Sequence, residues 1–221
     1  MKRAPVTFVL LAAFILSWIA AVPVQGVEPA PQKAPAEAPD KAGPQQAIKR
    51  LDGALLAAMK QAKKLGYEGR YRRLAPVIGQ VFNFPGIAAL TMGSYWTTLS
   101  AAQQQEFIAT LRDYTIATYA SRFDGYSGER FAVKSAQPLQ PNVMVVYSTL
   151  READGKVHNF DYLMQPVAGE WRIVNVVADG VSDLALKQAE FTHLMKLKGF
   201  TGLIAGLKTY IARMAHAGEK K

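Results

Sequence analysis

The hydrophobic period of this chain changes twice along its length, and no other feature constrains its fold as strongly. Ile48, Leu51, Leu55, Met59 and Ala62 recur at three- and four-residue steps, the spacing of one helix face, and Gly66 ends that run. A second helix is expected over residues 67–82, with Leu74, Val77, Ile78 and Val81 inward. Pro85 opens a brief helix through Leu90, and Ser100 with Gln103 forms a capping box ahead of a long amphipathic helix. That helix presents Phe107, Leu111, Tyr114 and Thr118 on one stripe and ends at Asp124 and Gly125. The period then drops to two. Residues 131–134, 143–150, 157–165 and 171–178 are rich in β-branched and aromatic side chains, with Asp154-Gly155 and Ala168-Gly169 as hairpin turns. Gly180 and Ser182 lead back into helix, where Leu184, Leu186, Phe191, Leu194 and Leu197 run to Gly199. Leu203, Ile204, Leu207 and Ile211 continue it. Helices, then a meander of about four antiparallel strands, then helices predicts a single α+β domain with its helices on one face of a curved sheet.

What precedes the domain reads as export machinery. Lys2 and Arg3 form a short positive region, the stretch from Val6 to Val22 is apolar apart from Thr7 and Ser17, and small residues follow at cleavage spacing. Residues 1–26 are therefore expected to be a cleavable signal, placing the mature chain outside the cytoplasm. The competing reading is a retained anchor, but Pro23 and Gly26 follow the apolar run where a stop-transfer pattern needs charge. Pro29, Pro31, Pro35, Pro39 and Pro44 mark residues 27–44 as a linker with nothing to bury. The domain then spans residues 45–215, and a basic tail 216–221. With no cysteine, neither a disulfide framework nor a thiolate metal site is available, so the core alone must hold the exported domain together.

Several chemistries find no support. The histidines at 158, 193 and 216 have no ligand spacing, so no metal or other cofactor is expected. His158 and Asp161 lie three residues apart on a strand and so face opposite ways, which defeats an acid–base pair. The GYSG at 125–128 has the length of a nucleic-acid-binding loop, yet a strand follows it where a helix is required. Gly202 and Gly206 have the spacing of a membrane-helix dimer motif, but Lys208 and Arg213 follow too closely. The net charge of +9 is dispersed along helices, and export makes nucleic acid an improbable partner.

Other residues carry a resemblance. FPGIAALTMGSYW at 84–96 precedes TLSAAQQQEF at 98–107, followed by YSGE at 126–129, DY at 161–162, WRIVNVV at 171–177 and GVS at 180–182. In order and spacing these resemble the toluene-tolerance family, the periplasmic lipid-binding component of Mla-type transport systems, across about residues 45–212. The resemblance implies a soluble periplasmic carrier that holds phospholipid tails between sheet and helices. Its implied partners are an inner-membrane ABC transport complex and an outer-membrane lipoprotein or porin complex. Two positions depart from the family: Asn175 stands where Asp is usual, and Leu186-Lys187 where an aromatic–Arg pair is common. GVSDLALKQAE at 180–190 is more similar to the branch associated with hopanoid biosynthesis, which widens the implied cargo to a polycyclic triterpenoid.

The strands support an apolar interior. His158, Phe160, Tyr162 and Met164 share one face of the third strand, while Asn159, Asp161 and Gln165 share the other. The expected lipid-contacting set is Tyr95, Phe107, Leu111, Tyr114, Met144, Val146, Phe160, Tyr162, Met164, Val174 and Val176. Arg70, Arg72 and Arg73, together on a helix near Phe82 and Phe84, are expected to dock on an acidic partner or headgroups. No catalytic residue is assigned. The alternative is an enzyme acting on apolar substrates in the same cavity through Tyr147, Tyr162 or Asp179.

Overall fold

The computed structural model describes residues 43–219, with side chains described as far as residue 216. The expected signal, and all but the end of the expected linker, lie outside the described residues. Helices α1 (Pro44–Lys60), α2 (Ala62–Val81), α3 (Phe84–Met92) and α4 (Ala101–Arg122) come first, with a 3₁₀ segment Gly93–Thr98 between the last two. Strands β1 (Arg130–Gln140), β2 (Val143–Arg151), β3 (Val157–Val167), β4 (Glu170–Ala178) and β5 (Val181–Ser182) form one antiparallel sheet in sequential order. Helix α5 (Asp183–Glu219) closes the domain. The expected α+β architecture is therefore present, with the helices layered on one face of the sheet.

Local signals explain most boundaries. Pro44, expected to end the linker, instead opens α1, where its missing N–H costs nothing. Asn83 caps α3 by accepting from the Gly86 N–H at 3.1 Å, and the Ser100/Gln103 capping box forms as expected. The Ser182 hydroxyl accepts from Ala185 N–H and the Asn175 amide oxygen from Leu184 N–H, so both cap α5. Asn175 thus has a structural role at the start of α5. Two joints do not end helices outright: Gly66 (φ 60, ψ −174) kinks α2, and Gly199 (φ 64, ψ −174) kinks α5. α5 also runs through to Glu219, into the positions expected to form a tail.

β1 is longer than the sequence pattern suggests. It reaches Gln140 because Asn142, at φ 61, closes a tight turn into β2. Register shifts between Val133 and Ser135 and between Leu163 and Met164 are bulges, which raise the local twist and help curve the sheet. Against the inner face, α1 lies over β1, β2 and β4, while α2, α3 and α5 each touch β4. α4 packs chiefly on α5, α2 and α3. Ile48, Leu51, Leu74, Ile78, Met92, Phe107, Leu111 and Phe191 are fully buried between these layers. Each contributes about 2 kcal/mol of burial before entropy is counted.

Candidate functional site

Strand register builds the surface that faces the helices. Met144, Val146, Ser148 and Leu150 of β2 stand opposite Met164, Tyr162, Phe160 and His158 of β3, so all share one face. Ile173, Val176 and Ala178 of β4 continue that face beyond β3, and Phe131, Val133 and Ala136 of β1 beyond β2. The helices close over it, and Val146, Met164 and Ile173 retain no exposed surface. The space expected to hold a lipid is thus a packed interface of methionine, aromatic and branched side chains. Such side chains adapt to a guest of loose shape by changing rotamer.

A run of aromatic rings crosses the same interface. Phe84 stacks on Phe82 at 5.7 Å, Phe82 meets Tyr119 edge-on at 5.9 Å, and Tyr119 stacks on Phe123 at 5.7 Å. Phe123 then reaches Phe131 of β1 at 6.2 Å. Sequence reasoning did not assign Tyr119, Phe123 or Phe131 to the site. Their only local signal is the four-residue step from Tyr119 to Phe123, which gives them a common helix face without saying what it meets.

Two polar features interrupt this apolar surface. Asp52 of α1 is 7% exposed, and its Oδ1 has no hydrogen-bond partner. Burial pushes its carboxyl up to about 7, against a smaller lowering from the Ser148 hydroxyl. Burial also raises Tyr119 and Tyr162, and the Asp52 charge adds to the rise in both. The second feature is His158, whose Nδ1 lies 2.7 Å from Asp179 Oδ2 and Nε2 2.8 Å from Glu152 Oε1. Burial alone would raise Asp179, but the Asn159 backbone N–H and His158 outweigh it and hold that carboxyl low. The cluster ties the β2–β3 hairpin to the turn after β4.

A depression of about 310 Å³ lies between α1 and the edge strand β1, lined by Lys49, Asp52, Gly53, Leu56, Phe131 and Val133. Another of about 230 Å³, on the helical side, is bordered by Glu106, Phe200, Ile204 and Lys208. Both are small beside a two-chain lipid.

The expected site residues divide into three groups. Met144, Val146, Phe160, Tyr162, Met164 and Val176 lie on the inner face of the sheet. Phe107 and Tyr114 of α4 pack on Phe191 of α5, at 5.7 and 6.4 Å, and Leu111 is fully buried one turn from Phe107 on the same stripe. A helical stripe shows that a face is buried but not which neighbour buries it. Tyr95, on the 3₁₀ segment, is half-buried at the core margin. Val174 is the extra residue of the β4 bulge, so it falls out of alternation with Val176 and stands apart from the main core.

The arginine trio also separates. Arg70 is only 4% exposed, with Nε donating to the Ala120 carbonyl at 2.8 Å and Nη1 to that of Ala62 at 3.2 Å. It staples α2 to α4 and cannot dock a partner, whereas Arg72 and Arg73 are exposed. For the alternative enzyme, Tyr147 faces outward beside Asp161, Tyr162 faces inward, and Asp179 is engaged by His158. These three do not converge on one reacting position.

Comparison with known proteins agrees with this geometry. The chain is 24% identical over 121 residues to the Intermembrane phospholipid transport system binding protein MlaC of Haemophilus influenzae. That match covers 53% of this chain and 56% of the relative, so the chain spans just over half of that protein's length. It is 23% identical over 145 residues to the toluene tolerance protein ttg2D of Pseudomonas putida, covering 65% of this chain and 67% of the relative. A phospholipid-binding protein from Ralstonia solanacearum, solved in complex with a phospholipid, shares the fold with a TM-score of 0.67. Its sequence identity is 21%, over 79% of this chain and 99% of that one. With residues 49–209 matching the model of the MlaC protein family, and the sheet, helices and inner face arranged as described, the chain belongs to that family.

Proposed function

We propose that this protein is a periplasmic lipid carrier that takes acyl chains between the inner face of its sheet and the overlying helices. The observation that carries the reading is that face itself, with Met144, Val146, Phe160, Tyr162, Met164 and Val176 side by side in a chain of the MlaC family. Exposing a two-chain lipid to water costs roughly 0.8 kcal/mol per methylene, of order 20 kcal/mol for about thirty methylenes. A carrier lowers that barrier only by burying most of the tails. The adaptable side chains and the thinly covered α1–β1 edge suit an interface that opens around them. The carrier would exchange phospholipid, or a hopanoid, with an ABC complex at the inner membrane and a lipoprotein or porin complex at the outer membrane.

Gentle purification from the periplasm followed by lipid extraction and mass spectrometry tests this reading. About one lipid equivalent per protein is expected. Protein that emerges empty and takes up nothing from added vesicles would overturn the carrier reading. Phe160→Glu and Met164→Glu should abolish loading, because an unpaired charge among acyl chains is strongly disfavoured.

A further inference from the structure

Among the described residues three buried side-chain atoms lack a hydrogen-bond partner, Asp52 Oδ1, Tyr67 Oη and Arg172 Nε, and only the first belongs to a carboxylate. A buried carboxylate oxygen without a partner is rare and destabilising, so it calls for a reason. Its surroundings suggest one. Asp52 lines the depression between α1 and β1, and Phe131 and Val133 of the edge strand form the opposite wall. Lys49, one turn earlier on α1, lines the same depression and is exposed. Residues three apart on a helix are neighbours, roughly 5–6 Å between Cβ atoms. A cation at the rim and an unsatisfied acceptor just inside therefore lie within the span of one lipid headgroup.

We propose that this seam is a polar-headgroup subsite, in which Asp52 accepts a hydrogen bond from an N–H or O–H donor of the lipid and Lys49 faces its phosphate. The ligand class is a phospholipid whose polar end carries such a donor, either a primary ammonium or a hydroxyl. A quaternary, N-methylated headgroup offers none and leaves Oδ1 unsatisfied. The inference rests on the carrier reading and adds selectivity to it. With its carboxyl raised to about 7, Asp52 is part-ionised near neutral pH, and a donor favours the ionised form, which accepts the stronger bond.

Lipid uptake by the delipidated full-length mature protein tests the subsite. One set of vesicles holds equal parts phosphatidylcholine and phosphatidylethanolamine, the other equal parts phosphatidylcholine and phosphatidylglycerol. Bound lipid is counted by mass spectrometry. The wild type should enrich the donor-bearing lipid in at least one set, by about tenfold for one charge-assisted hydrogen bond. Enrichment of phosphatidylethanolamine identifies the ammonium as donor, and of phosphatidylglycerol the hydroxyl. Asp52→Leu should lose the preference and take up the two lipids of each set in the vesicle ratio. Asp52→Asn, nearly isosteric, guards against a folding defect: it should lose preference for the ammonium and retain part of that for a hydroxyl. Uptake in the vesicle ratio by the wild type, or a preference that survives Asp52→Leu, overturns the subsite while the carrier stands. Absence of any lipid uptake by the wild type overturns both.

Discussion

At Asp52 a single side chain sets a pH dependence for the whole fold. Burial raises its carboxyl to about 7 from an ordinary 3.8, so the folded state holds this proton more tightly than the unfolded chain. The stability it contributes is complete below the unfolded value and is lost as pH rises through about 7. At roughly 1.4 kcal/mol per unit, the loss approaches about 4 kcal/mol at most. Asp179 works in the opposite sense, because its carboxyl is held low: its contribution is present above 3.8 and lost as pH falls below that. The two windows scarcely overlap. Urea unfolding at pH 5 and pH 8 should therefore show the wild type losing stability at the higher pH, and Asp52→Asn removing most of that slope. Equal slopes in the two proteins would mean that the Asp52 carboxyl is not buried as an ionisable group. His158 is a separate case, since Glu152 and Asp179 both depend on it. Removing His158 leaves Glu152 without that bond and Asp179 with only the Asn159 backbone N–H, and His158→Ala should cost about 2–4 kcal/mol by denaturant melts.

Among the elements, the two kinked helices share one backbone device. Gly66 and Gly199 have nearly identical angles, in a region that only glycine occupies without strain. Nothing lies within 4 Å of the Cβ either would gain, so substitution there reports backbone strain and not a clash. Gly66→Ala and Gly199→Ala should each lower stability by about 1–3 kcal/mol in equilibrium unfolding. Full stability in either would place its kink in a softer conformation. The α4 stripe supplies a contrasting test. Phe107 is fully buried against Phe191, so Phe107→Ala should destabilise by about 3–5 kcal/mol. Lipid bound per folded protein should nevertheless stay near the wild-type value, because that contact lies between helices. A loss of lipid without loss of stability would instead place Phe107 in contact with the lipid.

Across the whole molecule, charge and burial are separated in a way that suits encounter with a partner. Arg72 and Arg73 project from α2, while Arg70, on the same helix, is consumed by backbone carbonyls. If the exposed pair steers the protein toward an acidic surface, it acts on the approach more than on the docked complex. Arg72→Glu combined with Arg73→Glu should slow lipid transfer between protein and acceptor vesicles containing anionic lipid. The effect should be greatest at low salt and fade near physiological ionic strength, where the Debye length is about 8 Å. The lipid content of the purified double variant should remain normal. A transfer rate that ignores both the substitutions and the salt would remove the pair from any docking role.

The sequence by itself determined the class of fold and the inner face of the sheet. Alternation is a local property, so His158, Phe160, Tyr162 and Met164 could be placed on one side without knowing their neighbours, and register then brought Val146 opposite Tyr162. The capping residues Ser100 and Ser182 were legible for the same reason, since each acts within three residues. Only the tertiary structure decided which buried stripe meets which. Phe107 meets Phe191 of another helix, Tyr119 meets Phe82, and Phe123, the C-cap of the same helix, meets Phe131 of the sheet, with no local mark of the difference. A one-residue bulge set Val174 apart from Val176, and two distant carbonyls drew Arg70 inside. The burial of Asp52 was invisible for the same cause. A carboxylate on an amphipathic helix looks solvated until the strand that covers it, more than 70 residues away at Phe131, is in place.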